Sequence, residues 1–145
     1  MKYQLKWTKS MSVHQQEIDK QHKHLFSIIN RVVDAHLGRL DSNAIYDCLK
    51  ELMDYSAYHF NQEMKYMAEY QFPKIDAHID EHLTYTTKMG ALLDEFKKGH
   101  THIDEELLSY LAQWWTNHVM KEDMRYAEYI AYVREQEKKA EKKSG

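Results

Sequence analysis

The sequence predicts an all-α protein: an up-down-up-down antiparallel four-helix bundle with an extended N-terminal arm and a short C-terminal helix. Two observations support this prediction. The 145 residues include only four glycines and one proline, so turns should be few and helices long. Four segments repeat apolar residues at alternating steps of three and four, the spacing of the buried face of a helix. Short links between such helices favour antiparallel neighbours.

The elements follow one another within a single domain that covers residues 1–145. The arm, residues 1–12, has no helical period, and Leu5 and Trp7 are its expected anchors on the bundle. Apolar periodicity predicts bundle helices over about 13–37, 42–70, 74–98 and 104–122, then a C-terminal helix over 124–140 and a tail at 141–145.

Helix boundaries carry signals of their own. Asp41 or Ser42 can cap the start of the second helix, because short polar side chains accept hydrogen bonds from its free N–H groups. Thr101 or Asp104 can do the same for the fourth helix. Gly99 marks the end of the third, since glycine readily adopts the left-handed conformation that ends helices.

Composition narrows the class of protein. The net charge of -3 and the pI near 6.4 supply no basic face, which argues against nucleic-acid binding. The single cysteine, Cys48, has no partner for an internal disulfide and suits a reducing compartment. The N-terminal residues lack a long apolar run, and no window approaches the ~20 apolar residues of a membrane span. We therefore expect a cytoplasmic protein without a signal peptide or membrane insertion.

Every predicted bundle helix carries ionisable residues where its apolar pattern calls for leucine. They are His22 on the first helix, His59 and Glu63 on the second, His78 and His82 on the third, and His118 on the fourth. Residues four apart share a helix face, so each pair can direct two donor atoms to one point. On neighbouring helices, these residues lie at similar distances along the helix axis from the link that joins the two helices. At a rise of ~1.5 Å per residue the distances agree to within about one turn, which predicts that all of these residues lie in one layer of the bundle.

Asp123 follows His118 by five residues, a rotation of about 140° on a straight α-helix. It joins the layer only if the helix bends or frays there. Alternatively, its carboxylate reaches past His118 to a second metal ion.

The free-energy cost of burying a layer of ionisable groups must be offset by favourable interactions. Each unpaired buried polar group costs ~1–3 kcal/mol, and several together would threaten a net stability of ~5–15 kcal/mol. Metal ions compensate them, because they bind neutral imidazole and ionised carboxylate directly. Five imidazoles and two carboxylates exceed one tetrahedral zinc site. Two ions bridged by both carboxylates would leave an open position, which suits iron and oxygen chemistry.

The excess of histidine over carboxylate indicates the type of chemistry. Di-iron carboxylate bundles use mainly glutamate with Glu-x-x-His pairs, whereas the spacings here are His-x-x-x-Glu and His-x-x-x-His. Neutral ligands stabilise the reduced ions and disfavour high-valent oxidising states. The pattern therefore favours reversible O2 binding over a monooxygenase.

Four short segments contain these residues: "IDKQHKHL" (18–25), "HFNQEMKYM" (59–67), "HIDEH" (78–82) and "WWTNHVMKED" (114–123). Together they resemble the hemerythrins, specifically the single-domain bacterial type, the bacteriohemerythrins. The resemblance runs from about Trp7 to Tyr126, with all the ligand positions in order.

The resemblance implies two irons joined by an oxo or hydroxo bridge and by the carboxylates of Glu63 and Asp123. The filled iron would be held by three histidines and the open iron by two, namely His78, His82 and His118 for the first and His22 and His59 for the second. O2 would bind end-on at the open iron as a hydroperoxide, taking two electrons from the irons and a proton from the bridge. Release would reverse these steps.

The resemblance also implies a pocket for O2. Leu25, Phe60, Trp114 and Val119 match positions that line it in the family. Two positions depart from the family pattern. Met64 stands where a second glutamate is usual. Trp115 stands where leucine is usual beside the open iron, and its bulkier ring could narrow ligand access or slow autoxidation.

Three classes of function fit this sequence. The first is an O2-binding protein for storage, transport or delivery to an oxygen-using enzyme, with at most weak oxidase or peroxidase activity of its own. The second is an O2 or redox sensor. The third is a di-iron oxidase, a peroxidase or a nitric-oxide-handling protein.

Overall fold

The computed structural model describes residues 3–38, 40–99 and 103–144, and every regular element within them is helical. The helices are α1 (Gln16–Leu37), α2 (Ser42–Glu69), α3 (Ile75–Lys97), α4 (Glu105–Asn117) and α5 (Asp123–Ser144), with a π-helical turn (His118–Glu122) between the last two. Among these described helices, none is both long and apolar enough to cross a bilayer.

The helices form the predicted four-helix bundle. α1 packs against α2 and α4, and α2 packs against α3. α3 and α4 meet through the stacked rings of Tyr85 and Trp114, whose centroids lie 4.5 Å apart. This closed arrangement confirms the all-α fold class.

Side-chain caps fix where the bundle helices begin. Asp41 accepts a 2.9 Å hydrogen bond from the Ala44 N–H and so caps α2. Asp104 caps α4 in the same way, through the Leu107 N–H, whereas Thr101 lies outside the described residues. Satisfying these N–H groups typically contributes ~1 kcal/mol per helix.

The N-terminal arm is extended, with one 3₁₀ turn at Lys9–Met11, and docks on α1. The Asn30 side chain pairs with both backbone groups of Leu5, accepting from its N–H at 2.7 Å and donating to its carbonyl at 2.9 Å. Leu5 and Trp7 are half-buried against the core. The Lys23 ammonium lies 4.4 Å from the Trp7 ring centre, close enough for a cation–π contact.

The C-terminal helix differs from its predicted bounds. α5 ends at Ser144, so it is longer than the predicted 124–140 and includes most of the predicted tail. It also follows α4 without a break, because the π-helical turn joins the two helices. No glycine or proline occurs between residues 105 and 144, so the chain contains no strong helix breaker there.

Buried apolar side chains form two clusters in the bundle. The larger contains Leu25, Phe60 and Trp115, and the smaller contains Ile18 and Tyr126. His22 on α1, Glu63 on α2 and Asp123 at the start of α5 each fall between residues of the two clusters. The polar layer therefore lies between two apolar regions.

Replacing Leu52, which is fully buried on α2, with alanine should lower the free energy of unfolding by ~2–5 kcal/mol, since it removes packed volume. Leu83→Ala on α3 is the matched control, because Leu83 is 56% exposed. Urea unfolding of the two variants checks this. Similar losses in both would contradict the assigned core.

Candidate metal centre

All seven predicted ionisable residues meet in one buried layer. Five are fully buried and two are 3–5% exposed: His22, His59, Glu63, His118 and Asp123, then His78 and His82. They form two overlapping groups in which the donor atoms lie within 4.8 Å of one another. One group contains five residues, Glu63, His78, His82, His118 and Asp123, and the other four, His22, His59, Glu63 and Asp123. The two carboxylates belong to both groups.

The π-helical turn explains how Asp123 reaches the layer. The Asp123 N–H donates to the His118 carbonyl five residues earlier, the hydrogen bond that defines a π-helix. This wider turn brings residues five apart close to one face. The helix neither bends sharply nor frays at this point, as the sequence had left open; it widens by one residue.

The two carboxylates occupy the centre of the layer. Asp123 places Oδ1 3.0 Å from Nε2 of both His78 and His118, and Oδ2 3.0 Å from Nε2 of His22. Glu63 Oε1 lies 3.2 Å from His82 Nε2 and 3.5 Å from His59 Nε2. Neighbouring donors around an octahedral ion with ~2.1 Å bonds are ~3 Å apart. The spacing therefore fits donors that share ions.

Several of these donor atoms have no hydrogen-bond partner among the described residues, although they are buried. They include Nε2 of His22, His59 and His78, Oε1 of Glu63 and both carboxylate oxygens of Asp123. Their separations are short, but their orientations are not those of hydrogen bonds. Buried polar atoms without partners are rare in native proteins and need an explanation. A pair of metal ions between them fits both the orphaned atoms and their chemistry.

Two polar side chains behind the layer hydrogen-bond to histidines of the layer and fix their orientation. Gln21 Oε1 lies 2.7 Å from His59 Nδ1, and Glu81 Oε1 lies 3.3 Å from His118 Nδ1. Because amide and carboxylate oxygens accept, each Nδ1 carries a proton and donates it away from the layer, which leaves Nε2 as the atom directed into the layer. Sequence reasoning did not assign these roles. The only signal in the sequence was position, since Gln21 directly precedes His22 and Glu81 directly precedes His82.

Tyr126 is a third supporting residue. Its hydroxyl donates a 2.7 Å hydrogen bond to Glu63 Oε2, and the whole side chain is buried. Tyr126 packs in the smaller apolar cluster and also orients a carboxylate of the layer.

In the absence of metal, protons balance the charges of the layer. Burial opposes charge on His22 and His78, but the neighbouring carboxylates of Asp123 and Glu63 outweigh it and raise each pKa to about 9. Burial lowers the pKa of His59 to about 3, so this imidazole is neutral. Burial would raise the pKa of both carboxyl groups, but the surrounding imidazoles hold them below their usual values. Metal ions could replace the protons on histidine.

The side chains expected to line an O2 pocket take different positions. Phe60 and Trp115 border His59, with ring centroids 5.9 and 6.2 Å away. Trp114 instead stacks on His118 at 4.5 Å, beside the five-residue group. Leu25 and Val119 are fully buried in the larger cluster.

Other histidines lie apart from the layer. His14 and His24 are exposed and His36 is half-buried, and none belongs to either donor group. His100 and His102 lie outside the described residues.

Comparison with known proteins places the chain in a family. Residues 13–130 match the family model described as the hemerythrin HHE cation-binding domain. The chain is 31% identical to the bacteriohemerythrin of Pseudomonas aeruginosa strain LESB58 over 130 residues, which cover 88% of this chain and 82% of that protein. It is 30% identical to a hemerythrin-like protein of Naegleria gruberi, covering 83% of this chain and 88% of that one.

Solved structures show the same relationship. The chain superimposes on wild-type hemerythrin with a TM-score of 0.79 and 25% identity, covering 85% of this chain and 95% of that one. The matched region contains the whole seven-residue layer, and the donor set is one that suits two metal ions. The chain therefore belongs to the hemerythrin family of di-iron, O2-binding-type proteins and resembles its bacteriohemerythrins.

Proposed function

We propose that this protein binds O2 reversibly at its di-iron centre, for storage, transport or delivery to an oxygen-using enzyme. The observation that carries the proposal is the inequality of the two donor groups. One group offers five protein donors and the other four, with both carboxylates in each group. An ion held by the smaller group would therefore have fewer protein ligands and could keep a position open for O2.

The ligand assignment follows from the same groups. His78, His82 and His118 would hold the filled ion, and His22 and His59 would hold the open one. Glu63 and Asp123, which belong to both groups, would be shared by the two ions. Gln21 and Glu81 support this assignment, since each keeps the Nε2 atom of one histidine directed at its ion.

The side chains around the centre favour reversible binding of O2 over its catalytic reduction. When bound, the iron pair supplies the electrons for reversible O2 binding. Apolar side chains on the His59 side, such as Phe60 and Trp115, exclude the water and protons that would convert bound O2 into released products. Burial and the neighbouring carboxylates raise the pKa of Tyr126, so its hydroxyl remains a donor to Glu63.

We place the protein in the cytoplasm. Cys48, a free thiol half-buried against the core, suits a reducing compartment. Burial raises the pKa of this thiol, which keeps it protonated and poorly reactive.

Anaerobic reduction of the iron-loaded protein, followed by addition and removal of O2, tests the proposal. We expect two irons per chain, as the paired donor groups imply, and a charge-transfer band that appears with O2 and disappears without it. His22→Ala should abolish the band, because it removes a ligand of the open ion. His36→Ala is the control. Irreversible oxidation on the first exposure to O2 would instead favour a redox enzyme.

Loading with Fe²⁺ under anaerobic conditions near neutral pH should release protons, because the raised pKa values of His22, His78 and His118 keep them protonated before binding, and they must be neutral as ligands. For the same reason, affinity should rise with pH above neutrality. Titration calorimetry in two buffers of different ionisation enthalpy measures the release. A binding enthalpy independent of the buffer would contradict this charge balance.

Trp115→Leu should change the rate of O2 association or of autoxidation. Trp115 is fully buried and its ring lies 6.2 Å from that of His59, so a smaller side chain opens space beside the open ion. Stopped-flow mixing with O2 measures association, and slow loss of the O2-bound spectrum measures autoxidation. If neither rate changes, Trp115 does not limit access to the site.

A further inference from the structure

The buried layer approaches the surface at two places. Five of its seven side chains are completely inaccessible, and only His78 and His82 have any exposed area. Each of these two histidines lines a separate surface depression. The two depressions differ in size and in chemistry.

The depression at His82 is an apolar groove between α2 and α3, with a volume of about 210 Å³. Its lining is mostly apolar and includes Ala57, Phe60, Met64, Ile79 and Leu83. Met64 is 38% exposed and Leu83 is 56% exposed, so apolar side chains form its mouth. Met64 is also one of the two positions that depart from the family pattern.

The depression at His78 is much smaller and is charged. Its volume is about 20 Å³, and its lining includes Lys74, Glu122 and Arg125. That volume is about enough for one water molecule. A charged site of this size suits water or a proton, whereas O2 is apolar and gains nothing from charged neighbours.

The ring of Phe60 lines the apolar groove and also lies near His59, a predicted ligand of the open ion. Phe60 is 8% exposed at the groove and stacks on His82 with centroids 3.8 Å apart. The same ring lies 5.6 Å from Trp115 and 5.9 Å from His59. Displacement of this ring would therefore connect the groove to the region beside His59.

We propose that the groove is the access route for O2 and that Phe60 is its gate. The proposal rests on the proposed function, since it presumes that O2 binds beside His59. The apolar mouth at Met64 and Leu83 concentrates an apolar gas, and the packed Phe60 ring keeps water out between binding events. Because protein interiors are densely packed, the ring must move for O2 to pass.

Three alanine-to-tryptophan variants test the route. Ala57→Trp fills the apolar groove, Ala77→Trp fills the charged depression at His78, and Ala68→Trp changes an exposed position on α2 that lines neither. In the iron-loaded protein, Ala57→Trp should slow O2 association roughly tenfold, equivalent to ~1.4 kcal/mol in the barrier. Its iron content and thermal stability should match those of Ala68→Trp. Equal association rates in Ala57→Trp and Ala68→Trp, or slowing by Ala77→Trp alone, would overturn the proposal.

Xenon binding separates failure of the route from failure of the proposed function, because xenon is an apolar gas that needs no iron. A xenon-pressurised crystal should show an atom in the groove against Phe60, and Ala57→Trp should abolish it while Ala77→Trp retains it. Absence of xenon from the groove would overturn the route even if O2 binds. Xenon in the groove of a protein that fails to bind O2 would count against the proposed function alone.

Discussion

Burial of seven ionisable side chains in a single layer is the constraint on which the rest of this structure depends. Apolar clusters lie on both sides of the layer, and several of its buried donor atoms have no hydrogen-bond partner among the described residues. Without metal, the negative charges of the two carboxylates are balanced only by protons on some of the neighbouring imidazoles. Such an arrangement is sensitive to pH and leaves several buried atoms without partners, and two metal ions would remove both problems.

The π-helical turn is the backbone feature that this constraint requires. It places Asp123 beside His118 and also sets the rotation with which α5 continues. Tyr126 therefore faces Glu63, and Ile130 falls in the smaller apolar cluster. The π-helical turn therefore positions a carboxylate of the buried layer and also the side chains that pack beside that layer. Single π-helical turns inside longer helices often occur at functional sites, and this one follows that tendency.

Much of this arrangement was predictable from the sequence because its regularities are local. Residues four apart, such as His59 and Glu63, share one face of an α-helix. Short links between helices determine which residues of neighbouring helices lie at the same level along the bundle. The turn after His118 was not predictable in the same way, because a fixed period of 3.6 residues rotates Asp123 off the face. The predicted tail at 141–145 is mostly helical, because the absence of any glycine or proline between residues 105 and 144 lets α5 continue to Ser144.

The supporting residues were harder to predict for a different reason. Gln21 and Glu81 lie next to His22 and His82 in the sequence, but adjacent residues on a helix point their side chains in different directions. Their contacts are to histidines on other helices, His59 and His118. Only the packing of the bundle brings these pairs together, and no spacing within one helix encodes it.

Anomalous scattering at the iron edge from a crystal of the iron-loaded protein tests the central claim most directly. The account predicts two peaks per chain, both in contact with Glu63 and Asp123. Three histidines should surround one peak, and His22 and His59 the other. A single peak, or a pair whose ligands include residues outside the two donor groups, would contradict it.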